Sequence, residues 1–120
     1  MPTAQQIQAI DSYDLTALIS NGTTTSQEID LAGNSLCGLF IPAAFTGATI
    51  KIVASSVSGG TFINAQKDES GGGDYTITAT ASKYVPVTNL AILAGVRFIK
   101  LVSASSEGAD RSITLAVRPV

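Results

Sequence analysis

The 120-residue chain has no histidine and no tryptophan, and only one cysteine. Without histidine there is no Ser-His-Asp triad, no imidazole metal ligand and no side chain that ordinarily titrates near neutral pH. A lone cysteine excludes an internal disulfide and a cysteine metal cluster. Cys37 lies in the apolar run Leu36-Cys37-Gly38-Leu39-Phe40-Ile41 and reads as a small core residue, since no histidine is present to activate a thiolate. Charge is scarce: Lys and Arg number seven, Asp and Glu nine, together 13% of the chain, for a formal net charge of −2. The basic residues Lys51, Lys67, Lys83, Arg97, Lys100, Arg111 and Arg118 are scattered, so counterion release has little to act through. No nucleic-acid partner is expected. No apolar run reaches a membrane span, and the richest, residues 90–102, is broken by Arg97 and Lys100. No membrane association is expected. Residues 1–6 carry neither part of a signal peptide, so synthesis in the cytoplasm without standard secretion is expected.

What the chain has in quantity is apolar residue, 45% of the total. That composition excludes disorder as the dominant state, and the length fits one domain. From Thr23 onward the pattern is that of strands. Gln27-Glu28-Ile29-Asp30-Leu31 alternates, with Ile29 and Leu31 inward. Residues 36–41 read as a strand buried on both faces, ended by Pro42. Residues 49–55 place Ile50, Ile52 and Ala54 inward. Ser58-Gly59-Gly60 reads as a hairpin turn before a strand over 61–65. Residues 75–80 place Tyr75, Ile77 and Ala79 on one face and three threonines on the other. Residues 83–87 read as a short edge strand containing Pro86, and 89–94 as one helical turn or an irregular corner. Strands over 96–103 and 112–117 follow, the last with Ile113, Leu115 and Val117 inward. The expected fold is all-β: an antiparallel β-sandwich or jelly roll of about eight strands. Residues 1–22 read as an N-terminal arm containing a short helix or strand, docked on its own domain or on a neighbour, and 23–120 as the sandwich domain. The arm's apolar residues Ile7, Ile10, Leu15, Leu18 and Ile19 are the candidate interaction residues.

Few constellations suit chemistry. Gly71-Gly72-Gly73 lacks the Lys-Ser/Thr sequel of a phosphate loop and reads as a hairpin tip. Asp68, Glu69 and Asp74 surround it without the spacing of an EF-hand, and read as a solvated loop. No carboxylate pair is singled out, and no Gly-x-Ser-x-Gly elbow occurs. No enzymatic activity, cofactor or metal is expected. Arg97 and Lys100 fall on opposite faces of a strict strand and read as side chains snorkelling at the sheet's rim. The outward rows Thr76, Thr78, Thr80 and Ser112, Thr114, Ala116 are short and weakly charged, which suits packing against another protein.

The stretch from Glu28 to the C-terminus resembles small virion proteins of tailed bacteriophages. The pieces that carry the resemblance are Glu28-Ile29-Asp30-Leu31, Pro42-Ala43-Ala44-Phe45-Thr46-Gly47, Gly59-Gly60-Thr61-Phe62, Tyr84-Val85-Pro86-Val87, Gly95-Val96-Arg97-Phe98-Ile99-Lys100-Leu101, and Arg111-Ser112-Ile113-Thr114-Leu115 with Val117-Arg118-Pro119. The resemblance implies a β-sandwich structural protein without catalytic residues. It implies a capsid decoration or cement protein on the virion surface, with the major capsid protein as partner and a homodimer or homotrimer as assembly. As an alternative it admits a low-copy head fibre, neck or tail component. Relatives often carry Asp before the Gly-Gly of the third hairpin, where Ser58 stands here. A competing expectation is a galactose-binding-like carbohydrate module. It is poorly equipped, because Phe40, Phe45, Phe62 and Phe98 read as core and Tyr75 as buried.

Overall fold

The computed structural model describes residues 13–119, and every statement below concerns those residues. They form nine strands: β1 (Tyr13–Ile19), β2 (Ile29–Asp30), β3 (Asn34–Phe40), β4 (Thr49–Ser55), β5 (Ile63–Asn64), β6 (Thr76–Thr78), β7 (Tyr84–Pro86), β8 (Phe98–Ser103) and β9 (Arg111–Pro119). A 3₁₀ turn at Leu90–Ile92 precedes β8. Sheet A runs β1-β9-β3-β7; sheet B runs β2-β8-β4-β5, with β6 also paired to β4. All these pairings are antiparallel.

β5 and β6 pair with successive stretches of β4. Val53 and Ala54 face Asn64 and Ile63, while Thr49, Ile50 and Lys51 face Thr78, Ile77 and Thr76. They are two halves of one strand, interrupted by an excursion whose base is closed by Tyr75 N–H on Ala65 C=O at 2.7 Å. Taken so, the strands number eight, and their pairing nests: β4 with β5–β6, β3 with β7, β2 with β8, β1 with β9. A long hairpin rolled over into two layers is a jelly roll, the expected fold.

Period-two patterning explains which residues fill the space between the sheets. Ala17 and Ile19 of β1, Leu39 of β3, and Ile113, Leu115 and Val117 of β9 face inward from sheet A. Ile50 and Ile52 of β4, Ile77 of β6, and Ile99 and Leu101 of β8 face them from sheet B. Phe45 and Leu93, from the connections, complete the core.

The arm expectation needs correction where the structure describes it. Residues 13–19 are not outside the sandwich: they form β1, paired along its full length with β9 from Tyr13↔Val117 to Ile19↔Arg111. The alternation Leu15, Ala17, Ile19 is that of a half-buried strand. It was hidden because Leu18, on the outward face, fills one gap and turns alternation into an apolar run. Residues 1–12, including Ile7 and Ile10, lie outside the described residues.

β1 is an edge strand, and Gln27 seals part of its edge. Its side-chain Oε1 accepts from Leu18 N–H at 2.7 Å and its Nε2 donates to Thr16 C=O at 3.1 Å. One side chain thus stands in for a neighbouring strand, which discourages edge pairing there. Gln27→Ala is expected to cost about 1 kcal/mol, the net worth of such bonds, measured by urea unfolding.

Candidate interaction surface

The two ends of the roll differ. At one end, the loop between β8 and β9 turns Glu107 inward until it is 1% exposed. Its carboxylate accepts from Thr46 N–H (3.1 Å), Thr46 Oγ1 (2.9 Å), Gly47 N–H (3.1 Å) and Arg111 Nε (2.9 Å). Its backbone C=O accepts from Gly22 N–H at 2.8 Å, which brings in the turn after β1. Burial pushes this carboxyl's pKa up, but the Arg111 guanidinium and the Thr46 and Gly47 donors outweigh it and hold the pKa below its ordinary value. Glu107 is therefore a pin joining three loops. Its oxygens are fully occupied, which leaves none free for proton transfer. Nothing local marks it: a lone acid in Ser105-Ser106-Glu107-Gly108 looks like any solvated loop residue.

The outer face of sheet B is laced with charge. Arg97 grips Asp30 at 2.9 and 3.1 Å and lies over the Phe98 ring, 5.1 Å from its centre. Lys100 Nζ sits 4.4 Å over the Phe62 ring, and Lys51 lies 3.8 Å from Asp74. Glu28 accepts from Gly59 N–H (2.7 Å) and Ser58 Oγ (2.6 Å). Those two donors hold its pKa below the usual carboxylate value, as the Arg97 hydrogen bonds do for Asp30. Ser58, where relatives often carry Asp, is thus a hydrogen-bond partner of Glu28. The expectation of opposite faces is corrected: Arg97 precedes β8 and shares the outer face with Lys100, and instead of snorkelling freely it is ion-paired to Asp30, while both side chains cover aromatic rings.

The outer face of sheet A is different. Register aligns Thr16, Thr114, Phe40 and Tyr84 in one row across all four strands. Beside it stand Ala116, Gly38 and Pro86, and on the other side Leu18 with Ser112. None of these nine is charged. By register Asp14, on the edge strand β1, pairs with Ala116 and so begins that row, and Arg118 stands one row further along β9. Phe40 is 47% exposed and Tyr84 46%, with ring centres 4.7 Å apart and planes tilted by 51°. The reading of Phe40 as core is thus overturned: its register partner Thr114 points outward, and so does Phe40. Phe45 and Phe98 are buried, while Phe62 and Tyr75 are half-buried.

Gly38 makes this face possible. Tyr84 lies flat over it, its hydroxyl 3.4 Å from the Cys37 carbonyl, and a Cβ at residue 38 would collide with the tyrosine ring. Gly38→Ala is expected to lift Tyr84 off the sheet. Stability should change by no more than about 1 kcal/mol, because the ring can swing into solvent. The nuclear Overhauser contacts between Tyr84 and Gly38 report the displacement.

Of the sequence-predicted interaction residues, Ile19 is fully buried and Leu15 is half-buried against the same core. Leu18 alone of the described ones faces out, at 37% exposure, and belongs to the uncharged face. In the glycine-rich excursion, Gly71, Gly72 and Gly73 all have positive φ, the conformation that glycine adopts without strain. Asp68 accepts from Ser70 N–H and Oγ, and Asp74 from Asn64 Nδ2, so the two turn to separate partners. Among the described residues, no group of three His, Cys, Asp or Glu is placed to hold a metal ion, and no helix is long and apolar enough to cross a membrane.

No family model and no curated protein sequence matches the chain. Among solved structures, the chain is similar to the crystal structure of SPBc2 prophage-derived protein YomS, with a TM-score of 0.55 and 18% sequence identity. The match covers 89% of this chain and 92% of that one, so most of the chain shares that fold.

Proposed function

We propose that this chain is a non-enzymatic structural protein of a bacteriophage virion, and that it decorates or cements the capsid by binding the major capsid protein. The observation that carries the reading is the asymmetry of the two faces. Sheet B satisfies its own charges, whereas sheet A presents a face of Thr, Ser, Ala and Pro around Phe40 and Tyr84, with charge only in Asp14 at its edge strand and Arg118 beyond. Depletion of charge and exposure of aromatics are the marks of an interface core. The prophage origin of YomS, a protein of the same fold, agrees with this reading. So does the saturation of Glu107, the one buried acid among the described residues.

The size of the face argues for a lattice. At about 4.8 Å per strand and 3.3 Å per residue, four strands by six residues present roughly 380 Å². Two such faces bury well under the ~1,000 Å² that a stable pairwise interface needs. Attachment through this face alone is weak, and dimers or trimers on a symmetric particle multiply it by avidity.

Copy number tests the reading. Particles purified on a density gradient are expected to hold this protein in simple ratio to the coat subunit. A count that follows tail or portal symmetry would place it in the neck, tail or a fibre instead. Absence from the particle would sink every virion reading. A carbohydrate module is the second reading, favoured by the unexpected exposure of Phe40 next to Tyr84 and two threonines. The 51° tilt denies a sugar ring one flat platform, and a glycan array decides the matter.

A further inference from the structure

The large apolar side chains that stay exposed fall into two groups. Leu18, Phe40 and Tyr84 belong to the outer face of sheet A; Val57, Ile63 and Leu90 lie elsewhere. Val57 and Ile63, 58% and 67% exposed, are the most exposed of all six. Both line a trough at the end of the roll opposite Glu107, between β5 and the segment that carries the 3₁₀ turn. The trough has two bays sharing Ala54, Ile63 and Val96. The first, of about 480 Å³, is completed by Val57, Thr61 and Arg97. The second, of about 460 Å³, is completed by Ala65, Ile92, Asp68 and Glu69.

One wall of the trough is an open sheet edge. β5 ends sheet B. Ala65 N–H donates to Ile52 C=O at 3.1 Å, so the alternation of an antiparallel ladder turns the N–H and C=O of Asn64 away from β4. No proline and no charged side chain blocks β5 itself. Ile63, opposite Ala54, projects on the side of the sheet where the trough opens.

The bays also differ in charge. The second contains Asp68 and Glu69 and no basic residue. Lys67, next in sequence, lies over Gly72 and lines neither bay. In the first bay Arg97 is already committed to Asp30. The lining of the trough is therefore net negative at one end, where Asp68 and Glu69 lie and no basic side chain lines the bay.

The geometry points to a strand-addition site. An extended segment of a partner protein, apolar at alternate residues and carrying Lys or Arg at the end beside Asp68 and Glu69, pairs with the free edge of β5 and seats its apolar side chains on either side of Ile63. Main-chain bonds supply affinity in this mode of recognition, and the bays supply specificity. The site stands apart from the face of sheet A and does not depend on the virion reading. Under that reading it is the second contact a bridging protein needs, since tying two neighbours together takes two surfaces.

The test selects binders from a bead-bound library of randomised hexapeptides with the full chain. The recovered peptides are expected to show β-branched or leucine residues at alternate positions and Lys or Arg at one end. Ile63→Asp, at an exposed position where folding is not at stake, should weaken the best peptide at least about tenfold, the loss typical of a central anchor. Asp68→Asn with Glu69→Gln should weaken it about threefold at low salt, and leave unchanged a peptide with Gln in place of the basic residue. Binding should shift the Asn64 backbone amide in a heteronuclear spectrum. Three results overturn the proposal: peptides that bind Ile63→Asp as well as the parent, an Asn64 amide that does not move on binding, or no enrichment over the Ile63→Asp protein. A protein absent from virions that still passes this test would lose the proposed function and keep the site.

Discussion

Glu107→Gln is expected to lower stability by about 3 kcal/mol at neutral pH, the scale of loss when one member of a buried ion pair is removed. For a domain of this size that is a fall of roughly 10 °C in Tm. The substitution keeps the shape but replaces one acceptor oxygen by an NH₂ group. Arg111 Nε sits on one carboxylate oxygen, Thr46 Oγ1 and Gly47 N–H on the other, and Thr46 N–H beside the first. Whichever way the amide turns, its NH₂ meets a donor. Arg111, 15% exposed at its side chain, recovers part of its hydration, which keeps the loss from being larger.

The pH dependence gives this prediction a second readout. The folded-state pKa of Glu107 lies below its ordinary value of 4.5. A depressed carboxyl contributes stability that is fully present above the unfolded-state pKa and is lost as pH falls through the folded-state pKa. The gap between the parent and Glu107→Gln should therefore be widest above about pH 5 and close as the solution is made more acid. Urea midpoints at neutral and acid pH measure it. A gap of constant width would mean that Glu107 holds the loops by shape alone.

The second large effect concerns particle binding. Phe40→Ser with Tyr84→Ser is expected to weaken attachment to capsids lacking the protein by about 30-fold or more, the loss that marks an interface hot spot. Both rings are about half exposed, so the roll itself should lose no more than about 1 kcal/mol. Lys51→Ala with Lys100→Ala, on the opposite face, is the control. It removes one salt bridge and one cation–π contact from sheet B and should change attachment less than about threefold. Co-sedimentation of each variant with particles makes the comparison. Equal binding by both double variants would move the contact off sheet A.

Some of this was legible in the chain and some was not, and particular residues show where the line falls. Ile50 and Ile52, Ile77 and Ala79, and Ile113, Leu115 and Val117 announce strands because alternate burial needs no partner to be specified in advance. The edge position of β7 was legible in Pro86 for the same kind of reason: a residue without an N–H cannot sit inside a ladder. The place of β1 inside the sandwich was not legible, because Leu18 serves an outer face that the sequence does not describe. Phe40 was misassigned because a phenylalanine in an apolar run carries no mark of which side of its sheet is covered. Glu107 could not be found at all, since its burial depends on Thr46 and Gly47 meeting it from about sixty residues away in the chain.

The chain by itself determined the all-β class and the inward rows of the main strands. The absence of histidine excluded its chemistry outright. These are properties of local period and of composition, and they survive any arrangement of the strands. Tertiary structure decided the rest: that residues 13–19 are a strand, that one face is laced with charge and the other carries little, that an acid pins one end and a trough opens the other. Each of these depends on which strand lies beside which, and pairing across about a hundred residues, as between Tyr13 and Val117, is settled by the packing of the whole roll.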